Sequence, residues 1–433
     1  MVDRIRASLY STVSMESPLS SDALRSFDPE LFNLIQREHQ RQSTTIDLIA
    51  SENHVSRAVR EALGSLLTDK YAEGYPGRRY YSGCGIVDEI ETVAINRAKA
   101  VFGVEHANVQ PHSGSQANFA AYLALIPSGS TILGMDLSHG GHLTHGAEVS
   151  FSGKFFRSAT YGVDRKTSLI DYDHVRSLAL HQRPSLIIAG ASSYPRVINF
   201  SIFGEIAREA GALLLVDSAH IAGLIAGGAH PSPVPHADII TGTTQKTLRG
   251  PRGGFILCKS TFGTKIDSAV FPGSQGGPLM HTIAAKAVCF QEALLPSFKD
   301  YAQTVVSNAQ IIAEELTEAG LRVVSGGTDN HLVLVDLANL NMTGKEAQDA
   351  LERAGIVANR NKIPYDTRSA MIAGGLRLGT PAITTRGFSP DEVRAISRDI
   401  CAVLREPNSE SVRDRVHRSV LEMCERHPIP GAD

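Results

Sequence analysis

The sequence predicts an α/β fold built on a large, doubly wound, mostly parallel sheet with helices on both faces. Short continuous apolar runs of strand length, at 185–190 and 212–217, alternate with amphipathic segments such as 202–211. Apolar runs of this kind are typical of strands that are buried on both faces. A chain of 433 residues also exceeds what one ordinary core accommodates. We therefore expect a large domain of this type and a smaller C-terminal α+β domain.

Three segments are predicted along the chain. Residues 1–45 are assigned to an N-terminal part: a loosely held arm of some 20 residues, and then a helix over about Pro29–Gln42, where an Asp precedes a proline and apolar residues recur at helical spacing. Residues 46–300 are assigned to the large α/β domain. Beyond residue 300 a long amphipathic helix, the strand-like HLVLVDL and the segment GGLRLGTP predict the small domain over 301–433, covered by a helix at 391–404.

Composition excludes several classes of function. The formal net charge is −3, with 42% hydrophobic and 20% charged residues, so we expect no sequence-independent binding to nucleic acid or to an anionic membrane surface. No apolar stretch reaches the roughly 18 residues that a membrane span needs. Five scattered cysteines show no spacing typical of zinc ligands. These features predict an enzyme of the cytoplasm that carries no structural metal.

Lys246 is the first candidate for catalysis. It lies in TGTTQKTLRGPRGG, after a Thr-rich strand end and before a turn rich in Gly, Arg and Pro. A lysine that forms a Schiff base needs an amine that is partly deprotonated near neutral pH, which burial and nearby positive charge achieve. Arg249 and Arg252 could supply that charge. On this motif alone, an ordinary surface lysine is an equally good interpretation.

Asp217 is the second candidate. It ends the apolar strand of VDSAHIAG, and His220 follows three residues later. In an open α/β sheet, ligands bind at the carboxyl ends of the strands. A carboxylate there can pair with the ring nitrogen of pyridoxal 5'-phosphate (PLP), which keeps that nitrogen protonated. The alternative interpretation is an Asp that caps the next helix.

The turn HSGSQAN, at 112–118, is the third candidate. Small and hydroxyl residues that open a helix suit a phosphate group at the helix N-terminus. A phosphate-binding turn, a carboxylate and a lysine, in this order within one α/β domain, together predict a PLP site.

The chain resembles the serine hydroxymethyltransferase family, whose members are PLP enzymes with the aspartate-aminotransferase fold (fold type I). The resemblance runs from about residue 30 to 400 and rests on the following stretches: LIASEN, KYAEGYPGRRYY, FGVEHANVQPHSGSQANFA, SHGGHLTHG, PSPVPHADII, KTLRGPRGG, FPGSQGGPLMH, VSGGTDNHLVLVD and LRLGTPAITTRG.

The resemblance implies a role for each matching cofactor residue. Lys246 would carry PLP as a Schiff base, Asp217 would pair with the ring nitrogen, and His142 would stack on the ring. The other residues implied to bind the cofactor lie at the phosphate, the phenolic oxygen or nearby: Ser113, Gly114, Ser115, Ser192, His220, Thr243, Gly276 and Gly277.

The resemblance also implies how the substrates are bound. Arg377 would hold the substrate carboxylate, unless it forms a salt bridge between the domains, and Glu73 would transfer protons with a pKa raised by burial. Ser51, Tyr71 and Tyr81 would also contact the amino acid. Tetrahydrofolate, the cosubstrate, would bind at Leu137, Gly141, Leu143 and Asn361. In this family the loop of Glu73 enters the neighbouring subunit's site, which implies an obligate homodimer or a dimer of dimers.

Two residues close to Lys246 differ from the family pattern of four threonines and a histidine. Gly242 and Gln245 stand in this run, and the exchange of Thr for Gly and of His for Gln is expected to leave more room at the substrate Cα. Gly85 and Ile86 also depart from the usual Glu and Tyr. These changes permit a relative specialised for α-methylserine and alanine in place of serine and glycine, and neutral drift in an ordinary member of the family is the alternative interpretation.

Two further classes of function stay open at this point. One is a folate-independent aldolase or transaldolase of β-hydroxy amino acids, which shares the cofactor residues but has no pteridine pocket. The other is a catalytically silent scaffold or RNA-binding relative. The candidate residues Glu73, Leu137, Leu143 and Asn361 argue against the first, and Lys246, Asp217 and Arg377 argue against the second.

Overall fold

Two larger sheets, two short two-stranded sheets and the helices around them make up the part of the chain that the structure, a computed structural model, describes, which is residues 22–431. The predicted N-terminal arm falls almost wholly outside the described residues. The strands are β1 Ile46–Asp47, β2 Gly74–Tyr75, β3 Arg78–Arg79, β4 His106–Asn108, β5 Thr131–Met135, β6 Arg157–Tyr161, β7 Leu186–Ala189, β8 Leu213–Asp217, β9 Ile239–Thr243, β10 Gly254–Cys258, β11 Arg322–Val323, β12 Leu332–Asp336, β13 Ile356–Val357, β14 Asn359–Asn361 and β15 Gly375–Gly379.

The helices cover both faces of the large sheet, and others pack into the core of the small sheet. They are α1 Asp22–Phe27, α2 Pro29–Ser43, α3 Arg57–Leu63, α4 Gly85–Phe102, α5 Gly114–Leu125, α6 Phe151–Phe155, α7 Tyr172–Gln182, α8 Phe200–Ala210, α9 Ala222–Ala226, α10 Ser260–Val270, α11 Met280–Ala293, α12 Pro296–Glu318, α13 Gly344–Arg353, α14 Pro381–Thr385, α15 Pro390–Arg405 and α16 Glu410–Arg426. Within the described residues, no helix combines the length and the apolar character that a membrane crossing requires.

The large sheet has seven strands in the order β4-β10-β9-β8-β7-β5-β6. The strands from β9 to β6 are parallel, and β10 runs antiparallel to both of its neighbours. The strands β7 to β10 are buried almost throughout, which explains their continuous apolar runs. The predicted α/β fold with a large, mostly parallel sheet is confirmed.

Local sequence signals set the bounds of several elements. The helix predicted over Pro29–Gln42 is observed as α2, Pro29–Ser43, and the Asp28 side chain accepts a hydrogen bond from the Leu31 N–H at 3.0 Å. The runs 185–190 and 212–217 contain β7 and β8. An N-terminal Asp cap and a Pro in the first turn are signals that need no tertiary context.

The second sheet is antiparallel, with the order β11-β12-β15-β14. Its core also contains Ile46 and Leu48 from the segment of β1, which pairs with β13. Helix α12 runs through residue 300, with Phe298 in the core of the large sheet and Ile312 in that of the small sheet. The domain boundaries at 45/46 and 300/301 therefore stay predictions, since residues before residue 300, such as Ile46 and Leu48, also belong to the core of the small sheet.

Gly242 does not enlarge the cavity at the end of its strand, so the expectation of extra room at this position is wrong. Gly242 pairs with Phe255 across β9 and β10, and a Cβ atom built on it would lie 2.3 Å from Phe255 Cζ. Thr241 and Thr243 alternate with it along β9, and their hydroxyls bond to Asn118 and to the Ala219 carbonyl. Gly242 therefore faces the core on the other side of the sheet, where the Phe255 ring fills the space.

Replacing Gly242 by Thr is expected to destabilise the protein. The added atoms would force the Phe255 ring from its position, and overpacking of this kind costs about 1–3 kcal/mol. The midpoint of thermal unfolding should fall for Gly242→Thr and recover in Gly242→Thr/Phe255→Leu, with Phe255→Leu alone as the control. An unchanged midpoint in the single Gly242→Thr variant would contradict this packing.

Candidate active site

A cavity of about 230 Å³ opens at the carboxyl ends of the central strands of the large sheet. Asp217 ends β8, Thr243 ends β9, and Ser113 lies at the N-terminus of α5. Carboxyl ends of parallel strands and helix N-termini converge at this edge, which is where open α/β sheets bind ligands. The lining residues are Ser113, Gly114, Ser115, Asn118, His142, His145, Ala191, Ser192, Asp217, Ala219, His220, Thr243, Gln245, Lys246 and Arg252.

Lys246 reaches this cavity from the turn after β9. Burial lowers the pKa of its amine to about 8; Asp217 raises that pKa, while Arg377 and Arg252 lower it further. The backbone is held by Asn53, whose Nδ2 donates to the Lys246 carbonyl at 3.0 Å. An amine with a pKa near 8 is partly neutral at physiological pH and can attack an aldehyde.

Asp217 is an ionised carboxylate inside the protein. Burial alone would raise the pKa of its carboxyl, but the hydrogen bonds from His145 and Asn118 hold the pKa well below its usual value. His145 Nε2 and Asn118 Nδ2 both donate to Asp217 Oδ2, at 2.9 Å and 2.8 Å. A buried anion with fixed donors is suited to stabilise a cation placed next to it.

The turn at Ser113 provides the N-terminus of α5. The Ser113 hydroxyl accepts a hydrogen bond from the Gln116 N–H at 3.2 Å, which makes it the N-cap. The first N–H groups of a helix have no partner within it, and they attract anions. The chain packs closely here, since a Cβ on Gly254 would lie 2.3 Å from the Ser113 carbonyl oxygen. The predicted phosphate turn thus lies in the same cavity as Lys246.

His142, Ser192 and His220 line the sides of the cavity. Burial lowers the pKa of His142 to about 4, so its ring is neutral at physiological pH. Its Nδ1 accepts from the Thr144 N–H at 3.2 Å and lies 2.7 Å from the Thr144 hydroxyl. A neutral, fixed ring at the cavity wall can stack on a flat ligand.

Arg377 lies on β15, so the small sheet contributes a cation to the same region. Its Nη1 donates to the Ser192 carbonyl at 2.7 Å and its Nε donates to Asn359 Oδ1 at 3.1 Å. Burial lowers the pKa of the guanidinium to about 10, yet it stays charged at physiological pH. Because a guanidinium carries five N–H groups, it keeps donors for a substrate anion.

Five of the predicted residues form a second group that does not line the cavity in this chain: Tyr71, Glu73, Tyr81, Gly276 and Gly277. The rings of Tyr71 and Tyr81 meet edge to face with centroids 5.2 Å apart. A Cβ on Gly276 would lie 3.2 Å from Glu73 Oε1, and one on Gly277 would lie 3.1 Å from the Tyr71 ring. The charge of Glu73 raises the pKa of Tyr81. Glu73, Tyr71 and Tyr81 therefore form a cluster with Gly276 and Gly277, and no member of this cluster lines the cavity that contains Lys246.

The four residues predicted for folate do not themselves line the cavity, but they lie on segments that adjoin its residues His142 and Ser192. The N–H groups of Ser192 and Ser193 bond to the Gly140 carbonyl, and Asn361 Nδ2 lies 3.2 Å from Ser193 Oγ. Leu137 and Leu143 are about half exposed, at 48% and 45%, so they are not plain core residues. Gly141 packs so tightly that a Cβ would lie 2.0 Å from the Met135 carbonyl oxygen.

Three residues that support the cavity escaped the sequence analysis, namely Asn53, Asn118 and His145. All three lie inside quoted motifs, LIASEN, HSGSQAN and SHGGHLTHG, but their partners are distant in sequence. Ser51, which was predicted to bind substrate, lies two residues before Asn53 and is half-buried. Gln245 lines the cavity beside Lys246, and its Oε1 accepts from the Gly253 N–H at 3.2 Å.

His142, His145 and Asp217 bring ligand atoms within 4.8 Å of one another, which is a spacing that can hold a metal ion. The direct hydrogen bond between His145 and Asp217 already satisfies two of these groups. The set is better explained as a support for the carboxylate.

The residues of the cavity fit PLP. A helix N-terminus with hydroxyl groups suits the phosphate, the partly neutral Lys246 suits the aldehyde, and the ionised Asp217 suits a protonated ring nitrogen. These three groups line the same cavity, and the neutral His142 ring lines it too.

A mostly parallel sheet whose strand ends carry these groups defines the class of PLP enzymes of fold type I. The chain belongs to the serine hydroxymethyltransferase family, since the family model described as "Serine hydroxymethyltransferase" matches residues 24–400. Membership makes the protein a PLP-dependent transferase of one-carbon metabolism.

The pKa of Lys246 predicts how its reactivity depends on pH. The amine is protonated and unreactive below its pKa of about 8, so addition to a small neutral aldehyde by the cofactor-free protein should rise through about pH 8 and level off above it. Removal of positive charge in Arg252→Gln should move the midpoint to higher pH. Reductive trapping and the mass of the Lys246 peptide measure the adduct.

Arg418→Gln provides the matched control, because Arg418 is an exposed residue of α16 and does not line the cavity. Its midpoint should equal that of the wild type. A wild-type midpoint at the ordinary lysine value, or a downward shift in Arg252→Gln, would contradict the proposed electrostatics.

Proposed function

We propose that this protein transfers a hydroxymethyl group reversibly between serine and tetrahydrofolate, with glycine and methylene-tetrahydrofolate as products. The observation that carries the proposal is the cavity in which Lys246, Asp217 and the N-terminus of α5 meet. PLP, when bound, supplies an electron sink for the bond that breaks at the amino acid Cα. The chain's own residues position the reactants and move protons.

Lys246 and Asp217 hold the two ends of the reacting system. The Lys246 amine, with a pKa near 8, would hold the cofactor through its aldehyde. Asp217 stays ionised because hydrogen bonds from His145 and Asn118 stabilise its charge. It thereby keeps the ring nitrogen protonated, which favours electron flow away from Cα.

Arg377 fixes the orientation of the amino acid. Two of its donors are held by Ser192 and Asn359, which restrains the guanidinium, and the remaining N–H groups would bind a carboxylate with bidentate geometry. Holding the carboxylate would determine which bond at the amino acid Cα is presented for cleavage. The bond to the hydroxymethyl carbon is the one that this reaction requires.

Glu73 is proposed to move the proton at the hydroxymethyl oxygen, with Tyr71 and Tyr81 beside it. Within one chain this group lies outside the cavity, so it reaches a Lys246 only if it belongs to another copy. We propose a homodimer in which the Glu73 loop of each subunit completes the other subunit's site. Symmetric exchange of this kind satisfies both sites at once.

Tetrahydrofolate is proposed to bind between Leu137 and Leu143, with Gly141 and Asn361 near the pteridine. Exposed leucines at a cavity edge lose contact with water when an aromatic ligand covers them, which favours binding. This feature separates the proposal from a folate-independent aldolase. It also separates it from a silent scaffold, because the latter has no use for a charged set of Lys246, Asp217 and Arg377.

The pair α-methylserine and alanine is the second candidate for substrate and product. Its support is now Gln245, which lines the cavity, since Gly242 faces the core. A competition assay that offers glycine, L-alanine and D-alanine with methylene-tetrahydrofolate separates the two pairs. Glycine is expected to be the preferred acceptor.

Serine cleavage should depend on tetrahydrofolate. Leu143→Ser should raise the KM for tetrahydrofolate about tenfold, as expected when a leucine contact of about 1.5 kcal/mol is lost, and leave PLP absorbance unchanged. Leu123→Ser is the matched control, because Leu123 is equally exposed at 45% but lies on α5. Serine cleavage that is equally fast without tetrahydrofolate would instead identify an aldolase.

Mixed dimers should reveal whether Glu73 serves the other subunit. Lys246→Ala and Glu73→Gln should each be inactive alone, because every site lacks one group. After subunit exchange, about a quarter of wild-type activity should return, the statistical share for random pairing in a symmetric dimer.

Lys246→Ala mixed with Asp217→Asn is the control, since both residues line the same cavity of one chain. Its mixed dimer places one lesion in each cavity and should stay inactive. Absence of recovery in the Glu73 mixture, with exchange verified by mass, would contradict the shared site.

A further inference from the structure

His220 and His331 form a buried pair at the boundary between the two sheets. His220 follows β8 and lines the cavity, and His331 directly precedes β12. His220 Nδ1 lies 3.1 Å from His331 Nε2, and the rings stack with centroids 5.3 Å apart. His331 is 0% exposed, and its carbonyl accepts from the Thr380 N–H at 3.1 Å. The pair is therefore held firmly on the His331 side.

Both rings are neutral at physiological pH. Burial, together with the positive charges of Lys246 and Arg377, lowers the pKa of His220 well below its usual value and that of His331 to about 3. A contact between two neutral imidazoles holds one proton, so one nitrogen donates and the other accepts. Two arrangements are possible, and they place opposite groups in the cavity.

The second nitrogen of His331 decides between these arrangements. His331 Nδ1 is buried and has no hydrogen-bond partner. If His331 Nε2 carries the proton, the unpartnered atom is a lone pair; if His220 donates, the unpartnered atom is an N–H group. Orphaned buried N–H groups are rarer than orphaned acceptors.

His230 is a second buried histidine whose unpartnered nitrogen is a lone pair and not an N–H group. Its Nδ1 lies 2.9 Å from the Pro231 carbonyl, which can only accept, so Nδ1 carries the proton. Its Nε2 is then a bare lone pair, and this atom too is buried without a partner. The protein thus leaves an imidazole acceptor without a partner at His230, and the same is expected of His331 Nδ1.

We propose that His331 is a positioning residue that donates from Nε2 to His220 Nδ1 and so fixes the His220 proton on Nε2, facing the cavity. Because Nδ1 of His220 is occupied by His331, Nε2 is the ring atom left for a ligand. The inference rests on the proposed function, in which the ligand is PLP and the acceptor is its phenolic oxygen. The opposite tautomer would place a lone pair against that negatively charged oxygen.

Two variants separate hydrogen bonding from packing. His331→Gln retains an N–H donor that can reach His220 Nδ1, whereas His331→Leu fills similar space without a donor. The probes are PLP and 3-deoxypyridoxal 5'-phosphate, which lacks the phenolic oxygen. Their dissociation constants for the cofactor-free protein are compared, so the readout does not depend on turnover.

The wild type is expected to bind PLP more tightly than the 3-deoxy compound. This preference should fall about tenfold in His331→Leu, the scale of one hydrogen bond to a charged oxygen, and should largely persist in His331→Gln. His230→Leu is the control, since His230 is equally buried but does not bond to His220. Nitrogen-15 NMR of the cofactor-free wild type should show the His220 proton on Nε2.

Equal loss of the preference in the Leu and Gln variants would assign His331 a packing role and overturn the inference, as would a His220 proton on Nδ1. An unchanged preference in His331→Leu would overturn it as well. In these cases PLP still labels Lys246, so the proposed function stands. Failure of wild-type PLP to label Lys246 would instead reject the function itself.

Discussion

Burial of the Lys246 amine beside the ionised carboxylate of Asp217 is the constraint on which the rest of the site depends. A buried ammonium is costly, so its pKa falls toward neutrality, and a buried carboxylate persists only with donors around it. The protein meets the second condition with His145 and Asn118, and it strengthens the first effect by placing Arg377 and Arg252 near the lysine, where their charges lower the Lys246 pKa further. Reactivity at Lys246 and charge at Asp217 are thus two results of one arrangement.

The scaffold holds this arrangement through buried polar groups beneath the cavity. Lys286 is fully buried and donates to the carbonyls of Val109, Pro111 and Gly254, at 2.6, 3.0 and 2.7 Å. Val109 and Pro111 precede the turn that leads to the phosphate site, and Gly254 begins β10, so one buried side chain ties the turn to the sheet. Arg79 does the same for the Glu73 loop, with bonds to the Ala72 and Gly74 carbonyls and to buried Glu91.

The sequence predicted those features whose physical cause is local. Lys246, Asp217 and the turn at Ser113 each follow a strand or open a helix, so their placement at one sheet edge follows from the α/β pattern. Asn118 and His145 could not be assigned in this way, because their bonds to Asp217 span 99 and 72 residues. His331 lies 111 residues from His220, and no local pattern marks such a pair. The Gly242 prediction was wrong because motif proximity to Lys246 does not show which face of β9 a residue occupies.

The most direct test of the central claim is the site at which the cofactor attaches. Holoenzyme reduced with borohydride and digested should yield one pyridoxyl-labelled peptide, with the label on the ε-nitrogen of Lys246. A label on Lys286, the other buried lysine of low pKa, or no label at all, would contradict the account.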